Sequence, residues 1–219
     1  MAHLLRTWTR VVFALVLSIL AMPGTAHEVE PSFAEIDVDA DRVTIALRTA
    51  VEPLIAEMDL TGLDNTEDSP LAQRHDDLRL LPPDEIRAAL DAAWPRIAER
   101  IVLRAGEADL PIDLLAAEIP EIGDAELRRD AQLTLVADLP PGNTPVTFGL
   151  EASLGTLIVR QAAGYGTYEA ILTGGSTSDP LPRAGVADVS AGDAFLRNMV
   201  VGFEHIIPAG LDHILFVLG

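Results

Sequence analysis

Three residues near the carboxyl end of the chain have side chains that bind transition metals: His205, Asp212 and His213. On an ideal α-helix, with about 100° of rotation per residue, His205 and Asp212 lie about 20° apart, and His213 lies about 80° from His205. Two imidazoles and one carboxylate therefore share one helix face. Imidazole suits nickel, cobalt, copper and zinc, and a neighbouring carboxylate can bind the metal or orient a histidine. The spacing predicts a partial site for a divalent cation.

The segment that carries these residues is otherwise apolar. Over residues 199–219 the strongly polar side chains are Glu204, His205, Asp212 and His213. An Asp at the middle of a bilayer costs about 2.5–3.5 kcal/mol, so such residues usually line ion or substrate routes. Pro208 and Gly210 weaken the helix, which is tolerated where the backbone lines a cavity. We expect residues 199–219 to begin an all-α membrane domain of a longer protein.

The residues leave alternatives open at this segment. Asp212 and His213 either handle a metal or a proton, or form a polar pair that bonds neighbouring helices. His205 either belongs to the site or does not. Glu204 either marks the membrane interface or supplies a further ligand.

The amino terminus has the pattern of a secretory signal. Arg6 and Arg10 precede an apolar run over residues 11–22, and Gly24 and Ala26 supply small residues before a cleavage point. The run is too short for a bilayer-spanning helix, which needs about 20 residues. We therefore expect residues 1–26 to be a signal peptide; the alternative is an uncleaved anchor.

The composition excludes several function classes. All 15 basic residues are arginine, there is no cysteine, and the formal net charge is −19. Disulfides, thiolate chemistry, Schiff-base enzymes and P-loop lysines are thereby excluded. The charge argues against nucleic acid, which binds through Lys and Arg contacts to phosphate. Such a charge either keeps the protein soluble or concentrates cations at its surface.

The exported part alternates apolar and polar residues in several places, which predicts strands. Residues 32–39 and 43–48 predict a hairpin that turns at residues 39–41. Residues 132–137 and 146–151 predict a second hairpin through the loop at 140–145. Residues 156–161 and 165–172 predict a further pair that turns at Gly164.

Between these strands the period changes to that of a helix. The helix begins near Pro83, its apolar residues recur to Ile101, and Pro95 is expected to kink or split it. Residues 61–80 are polar and predict a surface loop that includes His75. The sequence thus predicts a mainly β, antiparallel, sandwich-like domain over residues 27–175 with one inserted helix. A linker over residues 176–198 follows, before the membrane segment.

No catalytic motif accompanies this domain. The sequence lacks Gly-x-Ser-x-Gly and His-Glu-x-x-His, as well as cysteine. We therefore expect a protein that is not an enzyme and that has no resident cofactor.

Residues 202–219, with the sequence GFEHIIPAGLDHILFVLG, resemble the signature that opens the membrane domain of HupE/UreJ-type proteins. Residues 26–31 and 168–182 are similar to the bacterial subgroup that carries a signal peptide and an extracytoplasmic domain. In the better-understood permeases five residues separate the first histidine from Asp-His, whereas six separate His205 from Asp212 here.

The resemblance implies a membrane protein linked to nickel or cobalt uptake, with a histidine–aspartate–histidine motif in its first membrane helix. That motif corresponds to His205, Asp212 and His213. It also implies an inner-membrane location with residues 27–198 on the periplasmic side, and a divalent cation and the lipid bilayer as partners. The alternative is an exported interaction module that is anchored to the membrane, binds an envelope protein and transports nothing.

Overall fold

The computed structural model of the protein describes residues 29–124, 127–161 and 168–183. The first strands and helices, in chain order, are β1 (Ser32–Val38), β2 (Arg42–Ala50), α1 (Glu52–Ala56), α2 (Ala72–Arg79) and α3 (Pro83–Ala98). The remaining strands are β3 (Ile101–Ala105), β4 (Ala108–Asp109), β5 (Asp113–Glu118), β6 (Asp130–Asp138), β7 (Val146–Leu150), β8 (Leu157–Gln161) and β9 (Tyr168–Leu172). Short 3-10 helices cover Thr66–Asp68 and Ala152–Leu154.

The strands form two sheets, which confirms the predicted mainly β class. The larger sheet has the order β5-β6-β2-β1-β8-β9, and the smaller has the order β4-β3-β7. Neighbouring strands are antiparallel except β1 and β8, which run parallel with Ser32 opposite Leu157. Among the described strands the domain is thus mainly antiparallel, with this one parallel pair as the exception. The long excursion through the helices and the smaller sheet acts as the crossover connection that a parallel pair requires.

The first predicted hairpin is confirmed, and so is the pairing of the last two strands. β1 pairs antiparallel with β2, with Val38 opposite Val43 across the turn. One face of this hairpin is buried because the apolar residues alternate with polar ones. β8 pairs antiparallel with β9, with Leu157 opposite Leu172. The buried residues of both sheets belong to one hydrophobic cluster, which also includes residues of α1 and α3.

The second predicted hairpin, which joined β6 to β7, is wrong. β6 pairs with β2 along its full length, from Asp130 to Asp138, and with β5 on its other side. β7 pairs instead with β3, in the smaller sheet. The loop between β6 and β7 therefore carries the chain from one sheet to the other. Both strands alternate as predicted, but alternation does not determine the partner of a strand.

The helical region is larger than the one inserted helix that the sequence predicts. α3 buries Ile86, Leu90, Ala93 and Ile97 at the predicted spacing. Pro95 does not split this helix, which continues to Ala98. Proline lacks the N–H of one helical hydrogen bond, and at position 95 this loss falls close to the carboxyl end of the helix. Residues 61–80 are not simply a loop, since they contain a 3-10 helix and α2.

The first residues of the expected linker are packed on the smaller sheet. The backbones of Val146 and Leu181 exchange two hydrogen bonds, of 2.9 and 2.7 Å. A β-carbon at Gly149 would lie 2.7 Å from the Ser176 carbonyl oxygen, so the two backbones are in close contact. This strip covers the free edge of β7, which would otherwise expose unpaired backbone groups. The packed domain therefore extends at least to Arg183, eight residues beyond the predicted boundary.

Arg183 fastens the end of this strip to the loop between β6 and β7. Its guanidinium donates hydrogen bonds to four backbone carbonyls, those of Ala40, Pro140, Gly142 and Thr144, at 2.8–3.0 Å. These acceptors compensate the burial of Nε and Nη1, whereas Nη2 has no hydrogen-bond partner among the described residues. The linker prediction missed this anchor because the composition of residues 174–182 indicates only a lack of regular structure.

The predicted signal peptide and the predicted membrane segment lie outside the described residues. Among the helices that the structure describes, none combines the length and the apolar character needed to cross a bilayer.

Candidate functional site

The three predicted metal-binding residues, His205, Asp212 and His213, lie outside the described part of the chain, as does Glu204. The structure therefore neither brings them together nor separates them. Within residues 29–124, 127–161 and 168–183, no three His, Asp or Glu side chains are grouped so that they could hold a metal ion.

The described domain contains a cavity of about 160 Å³ with charged walls. It lies where the amino end of β1, the carboxyl end of β2, α1, α2 and the chain just before β6 come together. Its ionisable lining residues are Glu30, Glu52, His75, Arg79, Arg128 and Arg129. Three arginines in one cavity are notable in a chain whose net charge is −19.

Glu52 and Arg129 form a buried ion pair on the cavity wall. Their side chains are only 2% and 9% exposed, and Glu52 Oε1 accepts from Arg129 Nη2 at 2.8 Å and from Nε at 2.9 Å. Arg129 also donates to the carbonyl of Leu81 at 3.0 Å. The pair joins α1 to the start of β6 and to the chain between α2 and α3. Both charges are satisfied, which burial at this depth requires.

The position of Glu52 follows from the local sequence. It lies in an apolar run over residues 50–56 and occupies the first turn of α1, where Pro53 favours helical backbone. α1 ends at once, because Glu57 adopts a left-handed conformation with φ of 59°. All five residues of this short helix are buried, so the carboxylate of Glu52 is carried inside.

Arg128 holds the amino-terminal strand against the same wall. It donates to the carbonyl of Glu30 at 2.6 Å and to that of Pro31 at 3.3 Å. Its Nε also donates to Asp130. Arg128 therefore has a carboxylate partner, and its hydrogen bonds hold the chain that leads into β1.

Arg79 differs from these two arginines. It is 7% exposed, and its Nη2 donates to the carbonyl oxygen of Leu127. In the part of the chain that the structure describes, no carboxylate lies within ion-pair distance of Arg79. A buried guanidinium without a counter-ion is costly unless an anion or further acceptors neutralise it.

Thr66 adds an unsatisfied hydroxyl to the lining. It begins the 3-10 helix and is buried, and its Oγ1 has no hydrogen-bond partner among residues 29–124, 127–161 and 168–183. By contrast, the hydroxyls of Ser32 and Thr49, which also line the cavity, are hydrogen-bonded to each other at 2.8 Å. Buried polar atoms rarely lack a partner, so this hydroxyl is suited to a bound molecule.

His75 is not on the surface as the sequence predicts, because α2 turns it into the cavity wall, where it is 5% exposed. Burial lowers the pKa of its imidazole, and the nearby charge of Arg79 lowers it further. The Asp76 carboxylate, 3.1 Å from Nδ1, and the charge of Glu52 oppose the shift. The imidazole is therefore neutral at pH 7.

We expect acidification to destabilise the domain through His75. Because the folded-state pKa is lowered, the unfolded chain binds the proton more readily, and stability falls as the pH drops below about 6.5. His75→Asn removes the titrating ring, so its free energy of unfolding should depend less on pH between 6.5 and 5. Urea unfolding at several pH values measures this.

A second variant sharpens that test. Asp76 raises the pKa of His75, so Asp76→Asn should lower this pKa further and extend the loss of stability to lower pH. Identical pH dependence in the wild type and His75→Asn would contradict the assignment.

Sequence reasoning missed this cavity entirely. The available signals were the lone charge of Glu52 within an apolar run and the adjacent arginines 128 and 129 at the start of a strand. No protein-family model matches the chain, and a search of curated proteins finds no match.

Proposed function

We propose that this chain belongs to a HupE/UreJ-like membrane protein that takes up a transition-metal cation of the nickel or cobalt type. The observation that carries the proposal is the motif at residues 202–219, in which His205, Asp212 and His213 interrupt an apolar segment. Ionisable residues in such segments usually mark a route for ions. Imidazole and carboxylate together suit nickel and cobalt.

The exported domain has a place in this proposal. Its location is the periplasmic side of the inner membrane, with the β-rich domain ahead of the first span. The net charge of −19 raises the local concentration of divalent cations near its surface. The motif then binds one cation after partial loss of its water shell. Two histidines and one aspartate leave coordination positions of the metal open, which water or other side chains of the protein fill.

The decisive variant is Asp212→Ala in cells that express the complete gene. We expect nickel and cobalt accumulation to fall to the level of cells that lack the gene, because the site loses the carboxylate of Asp212. Elemental analysis of washed cells measures the metal, and immunoblotting of membranes measures the protein. His213→Ala should have the same effect, and His205→Ala shows whether the displaced first histidine belongs to the site.

A matched control removes a carboxylate elsewhere. Asp113 is exposed on β5, and Asp113→Ala should change neither the accumulation nor the amount of protein in the membrane. Unchanged accumulation in Asp212→Ala, with normal protein in the membrane, would refute the transport mechanism.

The second candidate is an exported interaction module that the carboxyl segment merely anchors. It is favoured by exposed apolar residues on both edge strands of the larger sheet, Leu115 on β5 and Ile171 on β9. Edge strands can pair with an added strand of a partner. This candidate predicts that Asp212→Ala leaves metal accumulation unchanged. It also predicts that Leu115→Arg and Ile171→Arg abolish binding of the exported domain to its envelope partner.

A further inference from the structure

One of the three arginines that line the cavity has no carboxylate partner among the described residues. Glu52 neutralises Arg129, and Asp130 neutralises Arg128. Glu30 lies 3.8 Å from Arg128 and is largely exposed. Arg79 is the buried arginine of the cavity for which the described residues offer no carboxylate. The arrangement therefore attracts an anion.

A metal cation does not fit these walls. The charge of Arg79 acts on His75 and repels a cation there, and Glu52 is already engaged by Arg129. The described residues hold no group of three metal-binding side chains. The cavity is thus chemically distinct from the site that residues 205–213 form in the proposed transporter.

The unsatisfied hydroxyl of Thr66 supplies a second, independent observation. Arg79 and Thr66 line the same cavity, and each has hydrogen-bonding capacity that the described residues leave unused. A guanidinium and a hydroxyl together match the two oxygens of a carboxylate, because charge-assisted hydrogen bonds are the strong ones.

Apolar side chains also line the cavity and limit the size of the ligand. Pro53, Leu54, Leu60 and Leu154 supply this part. One water requires about 10–15 Å³ on the same measure, so a cavity of about 160 Å³ admits a molecule of several non-hydrogen atoms. A molecule with an anionic group and a short apolar chain matches both the polar and the apolar parts of the lining.

We propose that this cavity binds a small organic acid, with its carboxylate on Arg79 and Thr66 and its short apolar chain against Leu54, Leu60 and Leu154. The site is a property of the exported domain and does not depend on the metal function proposed above. The exported domain would thus bind a small organic acid in addition to any metal that the membrane segment binds.

The experiment is calorimetric titration of the purified full chain with butyrate, hexanoate and benzoate, at fixed ionic strength and with EDTA present. EDTA removes metals, so the result is independent of any metal site. We expect saturable binding of at least one acid with a dissociation constant of about 1 mM or tighter, which is attainable for six to nine non-hydrogen atoms. The corresponding amide, which has the same shape and no charge, should not bind measurably.

Two variants assign the contacts. Arg79→Gln should weaken binding at least about tenfold, because it removes the charge that the carboxylate meets. Thr66→Val removes the hydroxyl at nearly constant volume and should weaken binding about threefold to tenfold. It also keeps the test decisive if Arg79→Gln fails to fold. Arg42→Gln is the matched control: Arg42 pairs with Asp138 on the surface, and its loss should leave binding unchanged.

Several outcomes would overturn the proposal. Failure of all three acids to bind more tightly than about 10 mM would do so, as would equal binding of an acid and its amide. Unchanged affinity in Thr66→Val and in a folded Arg79→Gln would do so too. The carboxylate could also come from the carboxyl terminus of a protein. A tetrapeptide with a free carboxyl terminus, compared with its amidated form, tests this. If the free tetrapeptide binds and none of the three small acids does, the proposal of a small organic acid is overturned in favour of a protein terminus.

Discussion

Replacing Glu52 by glutamine is expected to lower the free energy of unfolding by about 3–5 kcal/mol. The change leaves Arg129 buried with a full charge and no carboxylate. Its hydrogen bonds to the carbonyls of Leu78 and Leu81 remain but do not neutralise it. Urea unfolding followed by the fluorescence of Trp94, which packs against the core, measures the loss.

The matched control is an ion pair of the same length on the surface. Arg96 and Glu57 approach to 2.8 Å but are 56% and 50% exposed. Solvent screens such a pair, so Glu57→Gln should cost no more than about 1 kcal/mol. The double variant Glu52→Leu with Arg129→Met removes both buried charges and should recover most of the loss. A cost below about 1 kcal/mol for Glu52→Gln would contradict the burial of the pair.

Leu181→Ala is expected to lower the free energy of unfolding by about 2–5 kcal/mol, the range for truncating a fully buried leucine. Leu181 is 1% exposed, and its backbone exchanges two hydrogen bonds with Val146. In a flexible linker the same substitution would be neutral. The measurement therefore tests the packing of the strip beside β7, which the structure makes part of the domain.

Leu80→Ala is the control for this substitution. Leu80 follows α2 and is mostly exposed, so its truncation should change stability by no more than about 0.5 kcal/mol. Equal effects of the two leucine substitutions would contradict the packing of residues 176–183.

Local pattern sufficed where neighbours in sequence are also neighbours in space. The alternation in β1 and β2 and the turn at residues 39–41 predicted a hairpin that is present. The spacing of Ile86, Leu90, Ala93 and Ile97 predicted the buried face of α3. In each case the side-chain period of the element determines which residues face the core.

The pairing of strands that are far apart in the sequence could not be predicted from local alternation. β6 and β7 are consecutive strands with suitable alternation, yet they belong to different sheets. β6 matches β2 over nine residues, and β2 lies more than eighty residues earlier in the chain. Alternation is the same for every strand with one buried face, so the competition among partners is decided by the whole set of strands.

The predicted metal motif depends on local sequence spacing, whereas the cavity depends on long-range contacts. The grouping of His205, Asp212 and His213 follows from helical spacing and remains a prediction, since it lies outside the described residues. The cavity joins Glu52 to Arg129 across 77 positions, and no local period indicates that contact. His75 was expected at the surface because its neighbours are charged, but α2 directs it inward.

The sequence by itself determined the mainly β class, the first hairpin and the buried face of α3, because each rests on a period of two or of 3.6 residues. Only the tertiary structure decided the parallel neighbour of β1, the separation of β6 from β7 and the packing of Leu181. It also placed Arg79, Thr66 and His75 around one cavity. These features depend on chain segments that meet across long sequence distances, where burial of the shared core outweighs local preference.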